Sequence, residues 1–127
     1  MKCITIKQPW AWLIAAGLKD IENRTWRTAY RGRLLIHSAM VPDDVDLPEI
    51  EARHGITIDR GALHNGVTVA TVKLHNIVTH HPSPWFVGPL GWVLRDAQPV
   101  EPIPMKGRLS IYDPPAHVRG AILPRRK

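Results

Sequence analysis

Apolar and polar positions switch between two periods along the chain. Residues 2–7 alternate, with Cys3, Thr5 and Lys7 on one side and Ile4 and Ile6 on the other, which predicts a first strand. Residues 8–18 lose that alternation and read as a helix. Pro9 suits its first position, where a missing N–H costs nothing. Trp10, Leu13, Ile14 and Gly17 form a stripe, and Trp12, Ala15 and Ala16 leave almost no polar face, so the helix is expected to be buried on several sides or to wall a pocket. Gly17 reads as its left-handed end. Residues 21–26 then run extended, with Glu22, Arg24 and Trp26 sharing one face about 6.5 Å apart and Ile21, Asn23 and Thr25 pointing the other way. Residues 33–39 predict a second strong strand, Leu34 and Ile36 on one face and Arg33, Leu35 and His37 on the other. Residues 67–78 are the longest strand signal, partly apolar on both faces as in a small barrel, and residues 90–100 and 106–112 add two more. Between them, residues 42–55 are acidic and read as a solvated excursion with a short helix at 48–54 stopped by Gly55. This pattern predicts an α+β domain built on a closed or half-closed mixed β-barrel of five to six strands with one or two short helices.

A length of 127 residues suits one domain over 1–127 with a modest core. No apolar run approaches the roughly 20 residues of a membrane span, and no secretory signal is recognised at the start, so a cytoplasmic location is expected. Cys3 is the only cysteine, which excludes an internal disulfide and a cysteine-based metal site. Lysine and arginine exceed aspartate and glutamate by 17 − 11 = 6, a balance that favours polyanionic partners. Part of that excess lies in a basic C-terminal tail, residues 119–127. The acidity of residues 42–55 argues against their touching a polyanion. Five tryptophans can fill a core or stack a base.

The chemistry concentrates in residues 17–26, where Lys19, Glu22, Arg24 and Trp26 fall within a few positions. One reading is an ion-pair network over the end of the helix. The other is the floor of a site, in which a carboxylate holds one cation, a second cation meets phosphate and an aromatic plane meets a base. Glu22 between Lys19 and Arg24 fits an orienter or acceptor better than a general acid. His37 ends an apolar run and is either a packed, hydrogen-bonded residue or a proton exchanger. The His80-His81 pair has no third ligand at a recognisable spacing, and no phosphate-cradling glycine loop or nucleophile elbow is present; neither metal nor cofactor is expected.

The octet Gly-Leu-Lys-Asp-Ile-Glu-Asn-Arg at 17–24 matches the GxKxxExR signature and resembles the ASCH domain family. Residues 4–11, Trp26, the Tyr30-Arg31-Gly32 turn, the strand ending Ile36-His37-Ser38-Ala39, and Gly91-Trp92-Val93-Leu94 before the proline-rich run look similar to that family as well. The resemblance implies a PUA-like barrel whose cleft is lined by the signature residues, binding RNA or nucleotide-type ligands. It marks Gln8, Trp10, Arg24, Trp26 and Arg31 as candidate RNA contacts. Some members resemble RNA-cleaving enzymes. A distant branch hydrolyses N4-acetylcytidine with a Lys, a Thr and a Glu; Lys19 matches its Lys, and Glu22 stands where it has Thr.

Three functions compete. An RNA- or nucleotide-binding module would hold phosphate with Lys19 and Arg24 and stack a base on Trp26 or Trp10. A small hydrolase acting on RNA or a modified nucleoside would use Lys19, balanced by Glu22, to polarise an oxygen and His37 to exchange protons. A protein-interaction domain would use an exposed patch of Trp85, Phe86 and Trp92.

Overall fold

The computed structural model describes residues 1–122; the last five positions of the expected basic tail lie outside them. The chain runs β1 (Lys2–Ile6), α1 (Trp10–Ala15), β2 (Ile21–Arg24), β3 (Gly32–Ser38), α2 (Leu47–His54), β4 (Thr68–Val78), β5 (Leu90–Pro99), β6 (Ile111–Tyr112) and α3 (Ala116–Arg119), with a 3-10 turn at Arg60–Ala62. The six strands form one sheet in the order β2-β5-β4-β3-β1-β6. β1 and β3 run parallel, and the other neighbours run antiparallel. This is the half-closed mixed barrel that the strand pattern predicts, with helices added around it.

Both faces of β3 are covered, which explains its unbroken apolar run. Leu34 and Ile36 join Ile4, Ile6, Val72, Leu74 and Trp92 under α1, which adds Ala11 and Ile14. Leu35 and Cys3 face the other way and pack with Met105, Tyr112 and Val118 of α3. Irregular register between Ile36 and His37, and at two points along β4 and β5, bends the strands and curls the sheet. The curl brings β2, at one edge, back toward β1 near the other edge, where Arg24 Nη2 donates to the Thr5 carbonyl at 3.1 Å.

Three expected boundaries move. The first helix keeps only Trp10–Ala15, with Pro9 as its cap; Gly17 adopts φ +75, and the amides of Leu18 and Lys19 both fold back to the Leu13 carbonyl. β2 stops at Arg24, so Trp26 leaves the face that Glu22 and Arg24 share. The last strand shrinks to Ile111–Tyr112 because residues 105–110 are pinned across the sheet rather than along it: the Met105 amide donates to the Gly66 carbonyl, and His37 Nε2 donates to the Met105 carbonyl. Among the described residues, no helix is long and apolar enough to cross a membrane.

Candidate ligand cleft

The left-handed turn at Gly17 tucks Lys19 under the start of β2. Its ammonium donates to the Ile21 carbonyl and, at 3.2 Å, to Glu22 Oε1. The other Glu22 oxygen takes Arg24 Nη2 at 3.1 Å. Glu22 therefore sits between two cations and orients both. The Lys19 side chain is only 4% exposed. Burial pushes its pKa below the ordinary lysine value, and the Glu22 carboxylate beside it pulls the other way. Arg24 spends Nη2 on Glu22 and Thr5; its buried Nε has no hydrogen-bond partner among the described residues.

These residues floor a cleft of about 830 Å³. Trp10 stands over Lys19, with the ammonium 5.6 Å from its ring. Its indole N–H donates to Asp43 Oδ2 at 2.8 Å. Trp85 meets Trp10 edge-on at 6.5 Å, and His54 stacks on Trp85 with ring centroids 3.5 Å apart and planes 11° from parallel. The octet also builds this aromatic corner. Ser83 Oγ donates to Asp20 Oδ1 at 2.6 Å, Asn23 Nδ2 donates to the Trp85 carbonyl at 3.0 Å, and Asn23 Oδ1 accepts from the amides of Val87 and Gly88. Glu22 and Arg24 thus serve the cleft while Asn23, between them in sequence, fastens the loop that carries Trp85.

The walls differ in charge. Asp43, Asp46 and Glu49 line one side, with Arg53 paired to Glu49. Lys7 and Arg108 line the cleft as well, and neither has a carboxylate partner among the described residues. The acidic segment is solvent-exposed along most of its length, as expected, with no buried residue in α2. Leu47 and Ile50 pack on Leu13, Ile21 and Trp85 and draw α2 down against the core, which turns its carboxylates toward the opening.

Lys19, Glu22, Arg24 and Trp10 come together here. Other sequence candidates do not. Trp26 packs edge-on against Trp92, centroids 4.8 Å apart, beside Arg24 but outside the cleft lining. Gln8 is buried, donates to the His64 carbonyl at 3.0 Å, accepts from the Trp12 amide at 2.8 Å, and borders a separate cavity of about 160 Å³. Arg31 is exposed and caps the carbonyls of Thr28 and Tyr30 in its own turn. His37 is 0% exposed and stands behind Thr5, outside the cleft. Its Nε2 proton goes to the Met105 carbonyl at 2.9 Å, so Nδ1 accepts from Thr5 Oγ1 at 3.0 Å, and that hydroxyl accepts in turn from Tyr112 at 2.6 Å. Burial lowers the His37 pKa, and burial raises that of Tyr112. This geometry is a closed structural relay, which removes the proton exchanger from the hydrolase scheme. Trp92 is fully buried and Trp85 is 8% exposed, so the surface patch of the interaction-domain scheme does not form.

Sequence reasoning missed Trp85, His54, Asp43 and Arg108 as cleft residues. Asn23 meets Trp85 across 62 positions, Trp10 meets Asp43 across 33, and His54 stacks on Trp85; no local period announces such pairings.

A family model described as the ASCH domain matches residues 4–85. The human protein Activating signal cointegrator 1 is 40% identical over 53 residues, covering 41% of this chain and 9% of that protein. The mouse protein of the same name is 38% identical over 53 residues, with the same coverage. The chain matches under a tenth of the length of these relatives.

Proposed function

The chain belongs to the ASCH domain family, and from that premise we propose that its cleft binds RNA or a nucleotide-type ligand. A phosphate meets Arg24 Nη1, and the base lies toward Trp10, Trp85 and His54. One observation carries the reading. Arg24 is held by Glu22 and Thr5 through Nη2 and its Nε is buried, so at the floor of a large open cleft its Nη1, with no hydrogen-bond partner among the described residues, is left for an anion.

Charge orients such a ligand. The carboxylates of Asp43, Asp46 and Glu49 repel phosphate, so the phosphate of the ligand lies on the side of Lys7 and Arg24. Lys19 is spent on Glu22 and Ile21, so it supports Arg24 from beneath more than it grips phosphate. The basic balance of the whole chain adds long-range attraction.

Titration of the protein with labelled single-stranded RNA tests this. Affinity should fall with salt, with a slope of about −0.7 per phosphate contacted. Arg24→Ala should weaken binding about tenfold. Absence of binding at low salt, or an Arg24→Ala variant that binds as the unaltered chain does, sinks the proposal.

A further inference from the structure

Residues 105–110 form a strap with pinned ends, and residues 106–110 between them are exposed. Met105 fixes one end through Gly66 and His37. Gly107 presses so closely on the sheet that an added Cβ would stand 2.8 Å from Thr5 Oγ1 and 3.1 Å from His37 Cε1. At the other end Ile111 pairs with Ile4. Between these anchors Arg108 and Leu109 turn to the cleft. Leu109 is 93% exposed, so it packs on nothing. Arg108 has no carboxylate partner among the described residues. A backbone this firmly held, presenting a bare guanidinium and a bare apolar side chain at a cleft mouth, serves contact rather than packing. Val87, 82% exposed, offers a second apolar rim position.

The strap also neighbours the residue that holds Arg24. Arg24 reaches the Thr5 carbonyl, while Gly107, next to Arg108, touches the Thr5 side chain. Thr5 therefore stands between the two guanidinium-bearing segments, with Lys7 on the same strand end. The family match ends at residue 85, so the strap is outside what that match describes.

We infer that the strap is a second subsite, in which Arg108 takes the phosphate next to the one at Arg24 and Leu109 covers an apolar face of the adjoining nucleotide. The ligand is then a single strand of at least two linked nucleotides, not a free nucleoside or mononucleotide. This rests on the reading of Arg24 as a phosphate contact.

The test compares a labelled oligoribonucleotide of mixed sequence with nucleoside 5′-monophosphates as competitors. The strand should bind at least about tenfold tighter. Arg108→Ala should remove about tenfold from strand affinity and leave the monophosphates unchanged. Arg24→Ala should weaken both ligands. Because Arg108 is exposed, its variant should melt with the unaltered chain. Equal affinity for the two ligands, or an Arg108→Ala variant that weakens both alike or neither, overturns the subsite; if Arg24→Ala still weakens both, the reading of Arg24 stands. Failure of the unaltered chain to bind either ligand overturns both.

Discussion

Arg24 and Thr5 meet at 3.1 Å, guanidinium to carbonyl, and that bond joins strands from opposite sides of the sheet. The same nitrogen holds Glu22 Oε2 at 3.1 Å. Closure of the half-barrel and presentation of a cation are therefore one device. Arg24→Lys keeps the charge, but a single ammonium on a shorter reach lacks the fork that serves carbonyl, carboxylate and ligand together. The variant should lose about 1–2 kcal/mol of stability in urea unfolding and most of the affinity that Arg24→Ala loses. A lysine variant matching the unaltered chain in both would show that closure does not run through this residue.

Glu22 has two cationic partners and Lys19 has one carboxylate, and this asymmetry predicts unequal costs. Glu22→Gln strands a buried ammonium and should cost about 3 kcal/mol or more. Lys19→Met leaves Glu22 with Arg24 and replaces the charge by a side chain of similar length, so it should cost less. Adding Lys19→Met to Glu22→Gln should restore part of the loss, since the stranded charge is then gone. Denaturant midpoints of the three variants decide the matter; equal single costs and additive double costs would contradict it.

The residues legible in the sequence are those whose contacts are local. Lys19, Glu22 and Arg24 announce themselves because a glycine stop, an i,i+3 pair and strand alternation act within eight positions. The faces of β1 and β3 were legible for the same reason. The other half of the cleft was not. Asn23 holds Trp85 from 62 positions away, and His54 reaches Trp85 across β4. The acidic stretch reads as solvated and most of it is exposed, but the half-buried contacts of Leu47 and Ile50 that set where α2 lies have no local signal. His37 carries the chemistry of a catalyst and the environment of a core residue; its partner Met105 is 68 positions on.

His37 predicts a pH dependence. Its ordinary pKa of 6.5 is lowered by burial in the folded chain. Below that value the unfolded chain binds the extra proton and the folded chain resists it, so stability falls as pH falls. The contribution is full above 6.5 and declines by at most about 1.4 kcal/mol per pH unit beneath it. Burial, with Arg53 nearby, shifts His54 in the same direction, but His54 is present in both proteins compared. Melting temperature should therefore drop more steeply between about pH 7 and pH 5 in the unaltered chain than in His37→Gln. Parallel slopes would mean that His37 takes its proton in the folded state as readily as in the unfolded one.

Gly107 gives the sharpest packing test, because its neighbours cannot step aside. The Thr5 hydroxyl that an added Cβ would meet at 2.8 Å already donates to His37 Nδ1 and accepts from Tyr112. Turning it away breaks both bonds, so the strap must lift instead. Gly107→Ala should cost about 1–3 kcal/mol and should speed exchange of the Met105 amide, which bonds to Gly66, while leaving β3 and β4 protected. Gly61→Ala is the control: its Cβ would meet only Asp59 Oδ1, at an ordinary 3.5 Å, and should change stability by less than about 0.5 kcal/mol. If Gly107→Ala behaves like this control, the strap rests on the sheet more loosely than the Thr5–His37–Met105 connection requires.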